Sequence, residues 1–428
     1  MMTAEISTPQ RPARAQNVLW VLLATGITGV AGFLVTVTAA AGLGPELYSY
    51  FGVFWSGLYL VVGILFGLQQ ESTRATAESL AIADVAPPRS SLWVFGAVAG
   101  LIVGVVVFAS SFWWAPATLS EGYAGLSLQI AIGCAFNAVV ATMCGALAGS
   151  ERWRLLAGTI VLDGVLRLAG VLIVLGAGGD PAALAWVVIL PFPLSILIIF
   201  LCAPRTLRVV ARSRMTYRQL AINSGHTLVA ASATAILING FPLVLAFYAS
   251  DNEAATLGAL IFAITLTRAP ILVPMMALQS YLITRFTSNP AGVSKLIGQA
   301  TLLIAGVMVV LAAVTALWGT WALRTFMGAD YALPTGALVP LVVSSGFIGA
   351  LCVTGPALLA QNSHRAYTLG WIVASVVSLA VLFVPVGIEY RAALALSLGP
   401  IAGLVVHLIA LRAGRGALRV GPTSGSIG

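Results

Sequence analysis

Charge is what this chain has least of. Asp, Glu, Lys and Arg make up 8% of its 428 residues, and lysine occurs once, at Lys295. A water-soluble fold of this size carries roughly three times that share, so most of the surface must face something other than water. Cysteine is also scarce. Cys134, Cys144, Cys202 and Cys352 all lie in apolar runs without CxxC or Cys/His spacing, which excludes a zinc site or disulfide framework and leaves buried small hydrophobes. Long polar segments are missing as well. The acids Glu46, Glu121, Asp180, Asp251, Glu253 and Asp330 are scattered over short connections, none long enough to fold as a catalytic domain. No nucleotide-binding loop, metal cluster or nucleophile–base set stands out, and no cofactor is expected.

Apolar runs dominate what remains. Hydrophobic residues reach 60% and the mean hydropathy is +1.02, the composition of an all-α polytopic membrane protein. Counting stretches of about 20 apolar residues predicts twelve spans, at 18–42, 47–70, 92–114, 124–148, 155–177, 183–203, 219–249, 254–284, 293–318, 334–360, 367–387 and 392–411. The first begins near Val18 and runs about 24 residues, too long for the 7–15-residue core of a signal peptide. Helix is the expected spanning form, since no alternating ten-residue barrel pattern occurs.

The net charge of +8 would suit a nucleic-acid partner, but its distribution points to membrane topology instead. With the N-terminus inside, cytoplasmic segments hold 17 of the 21 basic residues, from Arg11 and Arg14 through Arg74, Arg89, Arg152 and Arg154 to Arg412, Arg415 and Arg419. Outer loops hold two, Arg324 and Arg391. That split is what the positive-inside rule asks of twelve spans with both termini in the cytoplasm. The most basic connection, 203–219, divides the chain into an N-terminal six-helix bundle (1–204), a basic linker (205–217) and a C-terminal six-helix bundle (218–428). Both halves have a long second helix, and LQQ at 68–70 and LQS at 278–280 fall at similar places in them, an internal echo that suits a duplicated transporter.

Two arginines, Arg167 and Arg268, lie inside spans. Arg268 is 15 residues after Glu253 and 17 before Arg285, which at 1.5 Å per residue puts it close to the bilayer midplane. A guanidinium there costs roughly 2.5–3.5 kcal/mol even on insertion scales and cannot escape by deprotonating. It must face a wet cavity, an acidic partner such as Asp163, or an anionic ligand. Thr265 and Gln279 share its helical face, and Pro270 and Pro274 free the carbonyls of Leu266 and Pro270, as a cavity wall or hinge requires. Asp163 and Arg167 are spaced i, i+4 and can pair along one helix; the open choice is between a structural pair and a second cation whose counter-ion yields to substrate. Glu71, Arg74 and Glu78 are spaced for two intrahelical pairs at the cytoplasmic end of the second span, either a solvated helix end or a gate. His226, in span seven, is a candidate proton carrier together with Asp163, while His364 and His407 lie nearer the cytoplasmic ends. Span one carries Thr25, Thr28, Gly29, Gly32 and Thr36, a stripe that suits close packing or hydrogen bonding to a sugar. Span seven presents Asn223, Ser232 and Asn239, with Pro242 as a break.

Several short stretches carry a resemblance. TRAPILVPMMALQS (267–280), TFMGADYALP (325–334), LLAQNSHR (358–365) and GLQQESTRA (67–75) resemble the polysaccharide-biosynthesis, O-antigen-type flippases of the multidrug/oligosaccharidyl-lipid/polysaccharide (MOP, MATE-like) superfamily. The resemblance implies two bundles that alternate between inward- and outward-open states in the cell membrane. It implies a polyprenyl-(pyro)phosphate-linked saccharide as substrate, moving between leaflets with its tail in the membrane lipid, and envelope glycosyltransferases as neighbours in assembly. On that expectation Arg268, Arg167, Asp163, Gln279, Thr265 and Asn239 form the substrate site, with Arg268 the midway phosphate partner. Sodium or protons could provide the drive. The rival expectations are a cation-exporting multidrug transporter, which needs intramembrane carboxylates, a membrane glycosyltransferase, which needs acids on a sizeable outer loop, and a scaffold, against which the intramembrane charges count.

Overall fold

A computed structural model describes residues 11–81, 87–250, 253–288, 293–361 and 363–419. Among these, eleven helices are long and apolar enough to cross a membrane, the first being the 63-residue stretch Leu19–Ala81. At 1.5 Å per residue that stretch would run about 95 Å, three times the hydrocarbon thickness, so it must turn back. It does so within α1 (Arg11–Ala81) at Gly44, whose φ of 73° is left-handed and open mainly to glycine, with Pro45 starting the second limb. Thr28 and Tyr59, at similar distances either side of the turn, reach the same part of the fifth span. Thr28 Oγ1 donates to the Ile160 carbonyl at 2.9 Å, and Arg167 lies over the Tyr59 ring. The two limbs are therefore antiparallel, and the described residues hold the expected twelve spans.

The remaining spans follow in order. The first half continues with α2 (Leu92–Thr118), α3 (Leu126–Gly149), α4 (Trp153–Gly176) and a sixth span made of α5 (Pro181–Ile189) and α6 (Pro191–Cys202). The second half opens with α8 (Tyr217–Ala235) and α9 (Phe241–Ala246), joined by a π turn at Ile236–Gly240, and α10 (Ala254–Ser288). It closes with α11 (Val293–Val314), a second π turn and α12 (Thr320–Phe326), then α13 (Thr335–Ala360), α14 (His364–Val381) and α15 (Ile388–Arg419). Apolar side chains face outward along whole helices, among them Leu101, Ile102, Val105 and Phe112 of α2 and Leu302, Leu303, Val309 and Val310 of α11. In water such faces would be driven together; in lipid they are the solvent-facing surface. The protein is an all-α, multi-pass membrane protein.

The basic linker is not a loose tether. It forms α7 (Pro204–Val210) and a two-residue strand, β2 (Arg212–Ser213), which pairs antiparallel with β1 (Ser90–Ser91) at the start of the third span. Around that pairing Arg89 N–H donates to the Ser213 carbonyl at 2.8 Å and Leu92 N–H to the Ala211 carbonyl at 2.7 Å. Arg214 donates to the Ser79 hydroxyl from its backbone and to the Ser79 carbonyl from Nη1, both at 2.9 Å. The linker is bound to the first half, and the next helix starts afresh at Thr216, whose side chain caps α8 in a reciprocal bond with Gln219.

At the opposite end from the linker the halves are sealed against each other. Tyr48, Phe262 and Tyr331 pack edge to face, and the Tyr331 hydroxyl donates to the Ala40 carbonyl at 2.7 Å. Gly258 of α10 lies so close to the Pro45 backbone that a methyl group there would occupy the place of the Pro45 carbonyl.

Candidate functional site

The site begins with a fault in span seven. Pro242 has no N–H, so Ile238 O loses its donor in an α-helical register and Leu237 O loses it in a π register. The π turn at Ile236–Gly240 and the break before α9 follow. Two side chains from other helices repair the fault. Arg268 of α10 donates through Nη1 to Ile238 O at 3.2 Å, with a longer contact to Leu237 O at 3.4 Å. Ser56, on the second limb of α1, inserts its hydroxyl into the next broken bond, taking the Leu243 N–H at 3.1 Å and donating to Asn239 O at 2.5 Å. Spans two, seven and eight thus meet at one point between the halves.

Arg268 is only partly satisfied there. It is 5% exposed, its guanidinium lies 5.9 Å from the Phe241 ring, and its Nε and Nη2 are buried without a partner. Among the described residues no carboxylate pairs with it; Asp163, the acid that might have done so, is occupied elsewhere. Each unpaired buried donor costs about 1–3 kcal/mol, and more for a charged group. A permanently charged fork held by two carbonyls, with two edges unmet, is a cradle short of acceptor oxygens.

Arg268 also lines a cavity of about 220 Å³ between the halves. Its walls come from the first span (Gly29, Gly32, Phe33, Thr36), the second (Tyr48, Gly52, Trp55, Ser56, Tyr59), the seventh (Ile238, Asn239, Pro242) and α10 (Thr265, Arg268, Ala269). Thr265, Asn239 and Arg268 therefore line one cavity. Thr265 spends its hydroxyl proton on Ile261 O at 3.0 Å, leaving its oxygen lone pairs. Pro270 and Pro274 do not break α10, which runs helical through both. Gln279 lies on α10 with its side chain outside the described residues.

Asp163 and Arg167 pair at 2.8 Å. Arg167 also donates from Nε to Val188 O at 3.1 Å, and its guanidinium is held between the rings of Tyr59 (5.8 Å) and Phe192 (5.1 Å). It is 4% exposed and is not on the cavity wall: Tyr59 stands between them. The pair neutralises itself and braces an aromatic side chain that does face the cavity.

Nearer the basic end, Arg74 grips Glu71 with Nε at 2.9 Å and Nη2 at 2.7 Å and also meets Glu78. Glu71 is only 2% exposed, and its Oε1 accepts from Asn223 Nδ2 of α8 at 3.1 Å. The acid–base cluster therefore ties the halves together. His226 is exposed on α8. His407 is consumed structurally, with Thr354 Oγ1 at 2.9 Å from Nδ1 and the Tyr367 carbonyl at 3.2 Å from Nε2.

Sequence reasoning missed Ser56, Trp55 and Tyr59, which look like interior residues of a long apolar helix. Pro242 was the signal that could have found Ser56, because a break in one buried helix obliges another to supply hydrogen bonds.

No protein-family model matches the chain. It is 34% identical to "Uncharacterized protein Rv1510" of Mycobacterium tuberculosis (strain ATCC 25618 / H37Rv) over 416 residues, covering 94% of this chain and 93% of that protein. It is 35% identical over 394 residues to "Uncharacterized protein Mb3654" of Mycobacterium bovis, covering 91% and 90%. The chain belongs to the family of these mycobacterial proteins. Its fold is that of MOP-superfamily transporters. It is similar to the lipid II flippase MurJ in an inward closed conformation (TM-score 0.69, 14% identity, 91% of this chain and 87% of that one). It is also similar to a multidrug resistance MATE family transporter in its inward-facing conformation (TM-score 0.67, 14% identity, 94% and 99%). A third likeness is to a MOP superfamily transporter from Pyrococcus furiosus described as having reverse polarity of its binding pocket (TM-score 0.66, 15% identity, 97% and 99%).

Proposed function

We propose that this protein is a flippase that carries a polyprenyl-(pyro)phosphate-linked saccharide from the inner to the outer leaflet of the cell membrane, supplying envelope polysaccharide assembly. The observation that carries the reading is Arg268, a permanent cation that lines a cavity between the halves and has two buried donor groups unmet. A phosphate supplies the acceptor oxygens that this fork lacks, and a guanidinium binds such oxygens bidentately. Crossing lipid is prohibitive for a bare phosphate, and a half-way cation lowers that barrier. Alternating access then requires the sealed end at Tyr48, Phe262 and Tyr331 to part while the Glu71–Asn223 contact closes the other side.

A cation exporter fits less well. Among the described residues the cavity wall carries no carboxylate, and Asp163 is spent on Arg167.

Two experiments test the proposal. In proteoliposomes, Arg268→Ala should abolish translocation of a fluorescent polyprenyl-phosphosugar while the protein still inserts, and Arg268→Lys should recover only part of it. Normal transport by the alanine variant would rule out the phosphate-partner role. In the native host, depletion should accumulate one polyprenyl-linked sugar in the inner leaflet; sensitivity to cationic dyes without such accumulation would instead favour drug export.

A further inference from the structure

Part of the wall of the cavity that Arg268 lines is aromatic. Trp55 and Tyr59 lie one turn apart on the second limb of α1, with ring centroids 4.5 Å apart and planes tilted by 31°, and both are only partly buried. The two rings are stacked, so Trp55 covers one face of Tyr59 and only the outer face of Trp55 is left for a ligand. The stack is fixed from behind, because the Arg167 guanidinium lies over both Tyr59 and Phe192 and is anchored by Asp163 and Val188 O. Burying that charge only to pack one ring is costly unless the ring's position matters.

We propose that Trp55, backed by Tyr59, is a stacking subsite for a single sugar ring attached directly to the phosphate that Arg268 holds. The inference rests on the flippase reading and narrows its substrate to a carrier lipid recognised through its first sugar. Three features select a sugar ring over other occupants of an aromatic wall. A cationic ligand is disfavoured twice, by Arg268 in the same cavity and by Arg167, which already occupies the back face of Tyr59 and draws on the same ring electrons. A sugar has an apolar face of C–H groups for the aromatic surface and a polar rim, and the cavity places Asn239, Thr36 and Thr265 where such a rim would reach. Size completes the argument: about 220 Å³ is below the roughly 300–1,000 Å³ of sites that enclose drug-sized ligands. One phosphate and one ring match that space, and further sugars must extend into water. Asp163–Arg167 is on this view a positioning pair that sets the angle of Tyr59.

The same wall could instead hold isoprene units of the lipid tail, and the test separates the two sources. Binding is measured in nanodiscs for farnesyl phosphate and for farnesyl phosphoryl-glucose. Trp55→Ala should weaken the glycosylated probe about tenfold, equivalent to about 1.4 kcal/mol, and leave farnesyl phosphate within about twofold. Trp55→Leu, which keeps apolar bulk without a ring, should behave as the alanine variant does, and Tyr59→Phe should retain binding that Tyr59→Leu loses. Replacing Asp163 and Arg167 together by Asn and Met should weaken only the glycosylated probe. Equal weakening of both probes by Trp55→Leu assigns the wall to the tail and overturns the sugar subsite alone. Binding of both probes that is indifferent to Arg268→Ala overturns the phosphate reading and the subsite with it.

Discussion

Ser56 shows how one hydroxyl can hold a broken helix in lipid. Span seven forfeits a hydrogen bond at Pro242, and no water is at hand in the membrane interior to replace it. Ser56 both accepts and donates at that place, so Ser56→Ala strands the Leu243 N–H and the Asn239 carbonyl together. Two unmet backbone groups should cost about 2–6 kcal/mol, read as a clear fall in the unfolding midpoint of the purified protein in detergent. Ser56→Thr keeps the hydroxyl and should restore most of the loss. A midpoint unchanged in the alanine variant would mean that span seven closes the gap by itself. Arg268 differs from Ser56 in being over-supplied with donors, which is why it is read as a ligand group and Ser56 as a repair.

At the scale of elements, much of the arrangement was legible in the chain. Twelve apolar runs, the basic connections between them and the midway arginine are one-dimensional signals, because lipid imposes a length on each helix and topology imposes a side on each charge. The two pairings written at i, i+3 and i, i+4, Glu71–Arg74–Glu78 and Asp163–Arg167, are local and therefore readable. What could not be read is what one helix does to another: that Asn223 completes Glu71, that Tyr59 screens Arg167 from the cavity, or that the Gly44–Pro45 turn brings Pro45 against Gly258. That last contact carries a prediction. Gly258→Ala places a methyl group where the Pro45 carbonyl lies, so the second and eighth spans cannot close fully at the end away from the basic linker. A membrane-impermeant maleimide applied at that end should label Ile264→Cys, on the cavity wall, several-fold faster in the Gly258→Ala background than with glycine present. Equal labelling would show that the seal tolerates the displacement.

The whole molecule moves, on the proposed mechanism, as two bodies, and the contacts say where the boundary runs. The linker looks in sequence like a flexible connection between the halves, yet β2 is paired to β1 and Arg214 is tied to Ser79, so it travels with the first half and the swivel falls at Thr216. The Glu71–Asn223 bond crosses that boundary. Two cross-links in a background with Cys134, Cys144, Cys202 and Cys352 replaced therefore have opposite expected outcomes. A disulfide between Ser90→Cys and Ser213→Cys, which face each other across the strand pair, joins parts of one body and should leave proteoliposome transport unchanged. A short bifunctional thiol reagent bridging Glu71→Cys and Asn223→Cys joins the two bodies and should stop transport, with recovery when a reducible bridge is cleaved. Arrest by the first cross-link would place the swivel before the linker, and free transport with the second intact would mean that this end of the molecule need not open at all.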